Sequence, residues 1–539
     1  MRKILIANRG EIAVRVVRAC RDLGLGSVAV YSDADRAARH VRMADEACWI
    51  GPSPAADSYL RGDRLIEAAL AAGADAIHPG YGFLSERASF AAACRDAGLL
   101  FIGPSPEAIA LMGDKTAARQ AALAAGVPVV PGTDGPLPAD IDDEALLAAA
   151  DAVGYPLLVK AAAGGGGKGM RLVSGPAALV DAVRAARSEA LSAFGEPAVY
   201  LERRLERPRH IEVQVLADQH GTVLPFVERE CSLQRRHQKV LEETPSPAVT
   251  PARRRQLADA AASIARAAGY TNAGTIEFLL DASGAFYFLE MNTRLQVEHP
   301  ITEEVTGVDL VTWQIRIAAG ERLTLEPSRL LAPVGHAIEC RIYAEDADAG
   351  FVPSPGTITA LRPPAGPGVR DDGAVETGSE VSLFYDPLLS KLVTRGEDRR
   401  QAMARMQRAL SEYTVAGVRT TIPFFTRLLQ EPSFVAGDVH TGWLDAVMPA
   451  RAGESFTDID SSEQYVAAIA AVLAVQGEIP VSGAHPAIPA VGAAARTIPA
   501  PGGWVTGSEG RGREVTDHLT GHARLSPWTA RARREALRP

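Results

Sequence analysis

The sequence predicts a protein of the α/β and α+β classes that is built from several domains. Its 539 residues are too many for one ordinary hydrophobic core, so roughly three or four domains are expected. Residues 1–114 alternate short apolar strands with helices, which is typical of an open parallel sheet. Residues 275–291 contain two apolar segments around a turn sequence, which is typical of a β-hairpin.

Residues 1–114 are predicted to form a small Rossmann-like domain. The pattern places a helix at Glu11–Leu23 and strands at Lys3–Ala7, Ser27–Tyr31, Asp75–His78 and Leu99–Ile102. The first turn, Asn8-Arg9-Gly10-Glu11, lacks G-x-G-x-x-G, so a dinucleotide site is poorly supported. The loop His78–Phe83 follows a strand, where α/β sheets place ligand contacts, although a structural turn explains it equally well.

A glycine-rich loop at Ala161–Met170 predicts a phosphate site. It holds four consecutive glycines and Lys168, and it follows a predicted helix at Asp142–Val153 and a strand at Pro156–Lys160. Consecutive glycines let backbone N–H groups approach anionic oxygens. The loop is not of the Walker A type, because Gly169 stands where a Ser or Thr would help to hold the metal ion. A cation must therefore be held elsewhere in the chain.

A densely charged segment runs from Glu228 to Lys239. It follows Arg209–Val215, which alternates strictly and is predicted as a strand. We expect the charged segment to be too polar for a core strand and to line a cleft that binds an anion. His210 and His237 have no metal-ligand spacing, and each can serve as an ordinary hydrogen-bonding histidine.

Two glutamates, Glu277 and Glu290, are predicted to face each other across the hairpin. They pair directly if Ser283-Gly284 forms a two-residue turn. Other even-length loops also leave both carboxylates on one face, whereas an odd-length loop would nominally split them. Opposed carboxylates lie roughly 5 Å apart and repel unless a cation lies between them. The hairpin therefore predicts a site for Mg²⁺ and nucleotide phosphates.

The same face is expected to extend beyond the hairpin. If the second strand continues, alternation carries the face through Asn292, Arg294, Gln296 and Glu298. Partial burial of this face is expected, because it is predicted to include Leu279, Phe286 and Phe288.

Lysine is rare in this chain. Lysine and arginine together number 56, and since only six are lysines, 50 are arginines. Lys115, Lys160, Lys168 and Lys239 fall inside the segments that carry the predicted chemistry, which suggests that lysine is kept where a compact charge on a slim stem is required. Lys3 and Lys391 lie outside these segments and are attributed to chance.

Bulk composition narrows the function classes. The net charge of −9 and the isoelectric point near 5.8 give no reason to expect binding to nucleic acid or to a membrane surface. The five cysteines have no metal-ligand spacing, so reduced thiols and a cytoplasmic location are expected. No apolar run is long enough to span a bilayer.

Several long motifs occur together and in a family's order. Lys115, Lys160, the GGGGKG loop, RECSLQRRHQK and EMNTRLQVEHP make the chain resemble biotin carboxylases from residue 1 to about 446. The resemblance implies an ATP-grasp domain at 115–330 with a mobile lid at about 131–204, and an α+β C-terminal domain at 331–446. The implied reaction forms carboxyphosphate from ATP and bicarbonate, and its CO₂ carboxylates biotin on a carrier protein as the first half-reaction of an acyl-CoA carboxylase.

The resemblance also carries roles onto matching positions. It assigns ATP to Lys115, Lys160, Gly164, Gly165, Gly166, Gly167, Lys168, Glu202, Arg203, Leu205, His210, Gln234, His237 and Leu279. It assigns Mg²⁺ (or Mn²⁺) to Glu277, Glu290 and Asn292. It assigns bicarbonate to Lys239, Arg294, Gln296, the backbone of Val297, and Glu298, which would be the general base. It assigns carboxyphosphate and the biotin enolate to Arg341, and biotin also to Tyr81. Catalytic roles thus fall to Lys239, Arg294, Glu298 and Arg341, and Arg203 stands where the family usually has lysine.

The carrier of biotin is predicted to be another chain. Most multidomain relatives carry biotin on a lysine of a C-terminal domain, whereas Lys391 is the last lysine here. Residues 447–539 are instead expected to be an Ala- and Pro-rich tail with partial order and a helix at Ser462–Gln476, similar to the start of a linker or docking region. The resemblance also implies a carboxyltransferase partner and a homodimer whose interface includes Arg15.

Two other functions stay open at this point. A different ATP-grasp ligase, which joins a carboxylate to an amine through an acyl phosphate, shares the lid and the metal hairpin but does not need the EMNTRLQVEHP anion site. The non-enzymatic alternative is a subunit that binds ATP without turnover. A dinucleotide-dependent oxidoreductase fails because its fingerprint is missing. The acyl-CoA is undefined, because that specificity lies in the carboxyltransferase.

Overall fold

The computed structural model describes residues 1–162, 170–450 and 455–456, and it begins with the predicted parallel sheet. The elements are β1 (Lys3–Ile6), α1 (Gly10–Asp22), β2 (Gly26–Ser32), α2 (Arg39–Met43), β3 (Glu46–Gly51), α3 (Gly62–Ala71), β4 (Ala76–His78), α4 (Ala88–Asp96), β5 (Leu100–Phe101) and α5 (Pro106–Gly113). The strands lie in the order β3-β2-β1-β4-β5, and every pair is parallel. Helices cover both faces of the sheet. Ile4, Leu5 and Ile6 of β1 are therefore fully buried, in agreement with their continuous apolar sequence. The Rossmann-like prediction is confirmed.

A small three-stranded sheet with its own core follows. The elements are α6 (Lys115–Ala124), α7 (Asp143–Val153), β6 (Leu157–Ala161), β7 (Arg171–Val173), α8 (Leu179–Phe194) and β8 (Val199–Arg203). Asp114 begins α6 as an N-cap, because its carboxylate accepts the N–H of Ala117 at 2.8 Å. The strands lie in the order β7-β6-β8. Their buried apolar side chains form a cluster within residues 137–201, inside the segment that was predicted as a lid.

The main body is an eight-stranded antiparallel sheet. Its first part comprises β9 (Arg209–Ala217), β10 (Val223–Arg235), β11 (Gln238–Thr244), α9 (Pro251–Ala267), β12 (Asn272–Leu280), β13 (Phe286–Asn292), α10 (His299–Thr306), α11 (Leu310–Ala318) and α12 (Pro327–Leu330). Its second part comprises β14 (His336–Tyr343), β15 (Glu345–Asp346), β16 (Val352–Pro353), β17 (Gly356–Thr357), β18 (Ala360–Arg362), β19 (Val369–Gly373), β20 (Glu380–Val381), β21 (Leu388–Gly396), α13 (Arg399–Glu412), β22 (Thr414–Ala416), α14 (Ile422–Leu428), α15 (Pro432–Val435) and α16 (Trp443–Ala450). The order β13-β12-β9-β10-β11-β14-β21-β19 makes one sheet run across residue 330, where a domain limit was predicted.

The charged segment 228–239 lies in two strands of this sheet. The expectation that it is too polar for a core strand is wrong, because Glu228 and Arg229 have no exposed surface on β10. Each buried charge has a partner. Arg254 donates to Glu228 at 2.7 Å, and Arg229 pairs with Glu212 on the neighbouring strand. Paired charges satisfy the requirement that burial imposes on ionised groups, so a polar sequence can occupy a core strand.

Two predicted features lie outside the described residues. They are the glycines and Lys168 of the phosphate loop, and nearly all of the tail 447–539 with its helix at Ser462–Gln476. Within the residues that are described, no helix combines the length and the apolar character needed to cross a bilayer.

Candidate active site

One large cleft gathers almost all of the predicted site residues. It has a volume of about 1190 Å³, ample for a nucleotide and a second small substrate. The predicted residues that line it are Tyr81, Lys115, Lys160, Glu202, Arg203, Leu205, His210, Gln234, His237, Lys239, Glu277, Leu279, Glu290, Asn292, Arg294, Gln296, Val297 and Arg341. Glu298 is the exception, because it is fully buried beneath the cleft. Gly164, Gly165, Gly166, Gly167 and Lys168 lie outside the described residues.

Glu277 and Glu290 are direct partners in the β12–β13 ladder, as predicted, but not through the predicted turn. Leu280 pairs with Phe286, so the loop between the strands has an odd length of five residues, 281–285. A register shift between the Glu277 and Phe278 pairs, which leaves Leu289 as an extra residue, then returns the two carboxylates to one face. The β-bulge therefore restores the pairing that the odd loop would have broken.

The bulge also changes the prediction for the aromatic residues of the hairpin. Phe286 and Phe288 pair with Leu280 and Phe278 and pack into the apolar core on the opposite side of the sheet. Their predicted place on the acid face is therefore wrong, whereas Leu279 does line the cleft.

The second strand does not continue beyond Asn292 as expected. The chain turns after it and enters α10 at His299. Arg294 and Gln296 nevertheless return to the acid face, because the Arg294 guanidinium donates to Gln296 Oε1 at 3.0 Å and Gln296 Nε2 donates to Glu277 Oε1 at 3.2 Å. A short loop thus brings Arg294 and Gln296 to the face that a continued strand was expected to place them on.

Lys239 is the central cation of the site. Its Nζ donates to Glu212 at 2.6 Å, to Glu277 at 2.8 Å and to Glu298 at 2.7 Å. Burial alone lowers the pKa of Lys239, but the three carboxylates outweigh burial and raise the pKa well above its usual value. Lys239 is therefore a permanent positive charge, and its three acids hold it in place.

Glu298 is held between two cations. Besides Lys239, Arg341 donates to its Oε2 at 2.9 Å, and Arg341 Nε donates to Glu242 at 2.7 Å. Burial raises the pKa of Glu298, but Lys239 and Arg341 more than offset it, so the net pKa is lowered and the carboxylate is ionised at neutral pH. Burial raises the pKa of Glu242 to about 7, although Arg341 opposes the shift. Arg341 therefore contacts one carboxylate that is ionised at neutral pH, Glu298, and one carboxyl group that titrates near neutral pH, Glu242.

The end of the cleft next to the three-stranded sheet carries further charged pairs. Lys160 on β6 pairs with Glu202 on β8, so the predicted phosphate-binding lysine contacts a predicted nucleoside-binding acid. His210 Nε2 lies 3.1 Å from Glu277, and His210 Nδ1 lies 3.1 Å from the Gln234 side-chain amide. Burial lowers the pKa of His210, but Glu277 more than compensates and the net pKa is raised.

The residues present fit a divalent cation. The Glu290 carboxylate makes no hydrogen bond or ion pair with any other described residue, although it lines the cleft. Burial and the neighbouring Glu277 raise its pKa, although Lys115, His210 and Lys239 oppose the shift. Asn292 Nδ2 donates to Glu277 Oε1 at 2.8 Å, and its Oδ1 accepts from Arg294 at 3.1 Å. Two carboxylates and an amide oxygen form a donor set typical of Mg²⁺.

Three site residues were missed from sequence. Glu86 accepts from Arg294 Nε at 3.0 Å, and Glu212 and Glu242 hold Lys239 and Arg341. Glu212 had a usable signal, because it lies two residues after His210 on a strictly alternating strand and must share its face. Glu86 and Glu242 come from distant segments, and their sequence contexts carry no comparable pattern.

Arg15 lies inside its own chain. It is 7% exposed and pairs with Glu303 at 3.0 Å and with Asp309 at 2.6 Å. These contacts within the chain already bury most of the guanidinium. The assignment of Arg15 to a dimer interface stays a prediction.

A parallel-sheet domain, a separately packed lid and an antiparallel sheet bearing an acid pair beside a large cleft together define an enzyme of the ATP-grasp class. Family models match the chain in three consecutive parts: "Biotin carboxylase, N-terminal domain" at residues 1–109, "Carbamoyl-phosphate synthase L chain, ATP binding domain" at 114–326, and "Biotin carboxylase C-terminal domain" at 339–446. Biotin carboxylase from Nostoc sp. is 54% identical over 442 residues, which cover 82% of this chain and 98% of the relative.

Solved structures agree with this match. Biotin carboxylase from Campylobacter jejuni, in a β-γ-ATP complex, has a TM-score of 0.80 and 45% identity, covering 83% of this chain and 98% of that one. The biotin carboxylase domain dimer of Hydrogenobacter thermophilus 2-oxoglutarate carboxylase, with MgADP, ADP and bicarbonate, has a TM-score of 0.78 and 47% identity, covering 83% and 97%. The chain belongs to the biotin carboxylase family and is an ATP-dependent carboxylase, a ligase that uses ATP and Mg²⁺.

Proposed function

We propose that this chain carboxylates biotin that is attached to a separate carrier protein, using ATP and bicarbonate through carboxyphosphate. The observation that carries the proposal is the position of Glu298, which lies between Lys239 and Arg341 directly beneath the cleft that holds the acid pair. An anion that enters this cleft meets two fixed cations with a carboxylate base behind them.

The nucleotide is proposed to bind at the lid end of the cleft. Lys115, Lys160, His210 and the glycine loop with Lys168 would contact phosphates, and Glu202, Arg203, Leu205, Gln234, His237 and Leu279 would surround the nucleoside. Pairing of Lys160 with Glu202 supports a rearrangement on binding, because the two roles require the pair to separate. Lid closure over the phosphates would exclude water from the reacting groups.

Glu277, Glu290 and Asn292 are proposed to hold Mg²⁺ or Mn²⁺. The ion would neutralise phosphate charge as the γ-phosphoryl group is transferred. The protein's own contribution is charge placement: Lys239 contacts both Glu277 and Glu298 and so links the phosphate end of the cleft to the bicarbonate end.

Bicarbonate is proposed to bind Lys239, Arg294, Gln296 and the backbone of Val297. Arg294 is already oriented by Glu86 and can offer a bidentate fork to a planar anion. Bicarbonate bound at Lys239 would draw the ammonium group away from Glu298. The pKa of Glu298 would then rise from its lowered value, which makes the carboxylate a stronger base when its substrate is present.

Biotin is proposed to bind near Tyr81 and Arg341. Arg341 would stabilise carboxyphosphate and then the negative charge that develops on the biotin ureido oxygen. Its guanidinium is fixed on two sides by Glu242 and Glu298, so little reorganisation is needed during the reaction.

The wider assembly is also a proposal. A carrier protein and a carboxyltransferase on other chains would complete an acyl-CoA carboxylase, and a homodimer is supported by the dimeric Hydrogenobacter domain. The domain limits 1–114, 115–330 and 331–446 lie close to those of the matching family models. Five free cysteines favour a reducing compartment such as the cytoplasm.

The decisive experiment is transfer of ¹⁴C from bicarbonate to free biotin by this chain alone, with ATP and Mg²⁺. Acid-labile, biotin-dependent ¹⁴C fixation is expected, and the Glu298→Gln protein should lack it. Stimulation of ATP hydrolysis by an amino acid rather than by bicarbonate and biotin would contradict the proposal and favour another ATP-grasp ligase.

A further inference from the structure

Lys391 is fully buried beside the site. Chance alone does not explain why a lysine is present at this position. It lies on β21, directly across the β14–β21 ladder from Arg341. Its Nζ donates to the carbonyl oxygen of Val297 at 2.9 Å and lies 3.2 Å from Glu11 Oε1. One ammonium group thus joins the C-terminal part of the chain to the anion loop and to the first helix.

The contact with Val297 acts on the bicarbonate end of the cleft. The carbonyl of Val297 belongs to the peptide unit that links it to Glu298, the proposed base. A hydrogen bond from a charged donor fixes the orientation of that peptide. It therefore fixes where the Glu298 side chain begins and restrains the adjoining Val297 backbone.

The contact with Glu11 acts on the biotin end. Glu11 also accepts a hydrogen bond from the hydroxyl of Tyr81, and the Tyr81 backbone carbonyl accepts from Asn8 Nδ2 at 2.7 Å. The Lys391 ammonium lies 6.0 Å from the centre of the Tyr81 ring. Tyr81 is thus held by its hydroxyl and its backbone, and the hydroxyl contact depends on an acid that Lys391 neutralises.

The surroundings explain why a lysine is present in a chain that uses 50 arginines. Glu339, Asp372 and His299 lie around the ammonium group in addition to its two direct partners. The side chain has no exposed surface, so the space must accept a slim stem with a compact charge. A guanidinium is planar and wider, and it would have to place five N–H donors there.

We infer that Lys391 is a positioning residue that holds the bicarbonate loop and Tyr81 in their working arrangement at the same time. This inference rests on the proposed function, because it takes the roles of Val297, Glu298 and Tyr81 from there. Among the described residues that are proposed to bind ATP, none has a hydrogen bond or ion pair with Lys391.

The test is steady-state kinetics of the Lys391→Met protein in the free-biotin assay. Methionine keeps an unbranched stem and removes the ammonium group. The KM for bicarbonate and the KM for biotin are expected to rise at least tenfold, as for loss of a charged hydrogen bond, while the KM for ATP stays within about twofold. Lys3→Met, on a partly exposed lysine far from the cleft, should leave all three constants unchanged.

A second variant separates positioning from loss of stability. Lys391→Met leaves Glu11 buried without its cation, which can unfold the protein. The double variant Glu11→Gln/Lys391→Met removes both charges and keeps a side-chain oxygen for the Tyr81 hydroxyl. It should recover most of its biotin KM but retain the raised bicarbonate KM, because the Val297 carbonyl still lacks its donor. Lys391→Arg should not restore either constant.

A bicarbonate KM of the wild-type value in Lys391→Met or in the double variant would overturn the inference, and so would an ATP KM that rises in parallel with it. Failure of the proposed function would instead show as no biotin carboxylation by the wild-type protein.

Discussion

Replacing Glu290 by glutamine should stabilise the ligand-free protein and remove its response to MgADP. Glu277 and Glu290 are ladder partners, so their Cβ atoms should lie about 5 Å apart, and at an effective dielectric of about 20 two full charges at about that separation would repel by about 3 kcal/mol. Lys239 and His210 already neutralise Glu277 in part, so we expect a gain of about 1 kcal/mol. MgADP at 100 times its Kd should add about 2.7 kcal/mol to wild-type stability and little to the variant.

The assay is thermal unfolding with and without MgADP, and Glu107→Gln is the matched control. Glu107 is an exposed glutamate on α5 that pairs with Arg95 at the surface, so its replacement should alter neither the ligand-free stability nor the ligand response. A Glu290→Gln protein that is less stable than wild type and still gains the full MgADP shift would refute the reasoning. Such a result would mean that Glu290 is satisfied in the free protein and does not face the metal.

The remaining predictions concern the same charge cluster. Lys239→Met removes the cation that three buried carboxylates share and should cost about 3–5 kcal/mol of unfolding free energy, measured by urea denaturation. Glu298→Gln should lower kcat for biotin carboxylation by about 10²–10⁴-fold while the KM for ATP is unchanged, and an unchanged kcat would rule out its role as the base. The folded-state pKa of Glu242 is raised to about 7, so the folded protein binds more protons than the unfolded chain between about pH 4.5 and 7, and this carboxyl makes stability fall as pH rises through that window. Glu242→Gln should therefore compare more favourably with wild type at pH 8 than at pH 5 in urea denaturation, and an equal difference at both values would show that Glu242 does not titrate there.

Residue chemistry carried most of the site prediction. Three features were informative about the site: the opposed glutamates, a lysine kept among arginines, and an anion-binding motif. Charged groups of this kind are stable in a buried position in only a few arrangements. Lys239 illustrates this: its three carboxylate partners are what an isolated lysine in a polar strand would need, and two of them, Glu277 and Glu298, were in the predicted set. Four strands of the parallel sheet were predicted from their apolar residues, whereas β3, which begins at Glu46 and is mostly unburied, was not.

Register was less predictable, because it depends on backbone geometry that composition does not encode. The face of Glu277 and Glu290 was right only because two departures from the simple hairpin cancel, a five-residue loop and a bulge at Leu289. Phe286 and Phe288 lie between the loop and the bulge, where nothing cancels, and their face was predicted wrongly. A period-2 argument is therefore reliable only up to the first irregularity in the ladder.

The buried polar layer beneath the cleft could not be predicted from local sequence, because its stability depends on pairing across strands. Arg229 pairs with Glu212, donates to Thr302 at 2.8 Å and to Thr275 at 3.1 Å, and has no exposed surface. Glu212 is shared with Lys239, so the orientation of the central cation of the site depends on a guanidinium that no substrate touches. The sequence shows only a charged stretch, which was expected to line a cleft rather than to occupy a core strand. Glu228, Arg229 and Glu230 are buried here because each has a partner from another segment, and the Arg229–Glu212 pair helps to fix Lys239 where bicarbonate and nucleotide would meet.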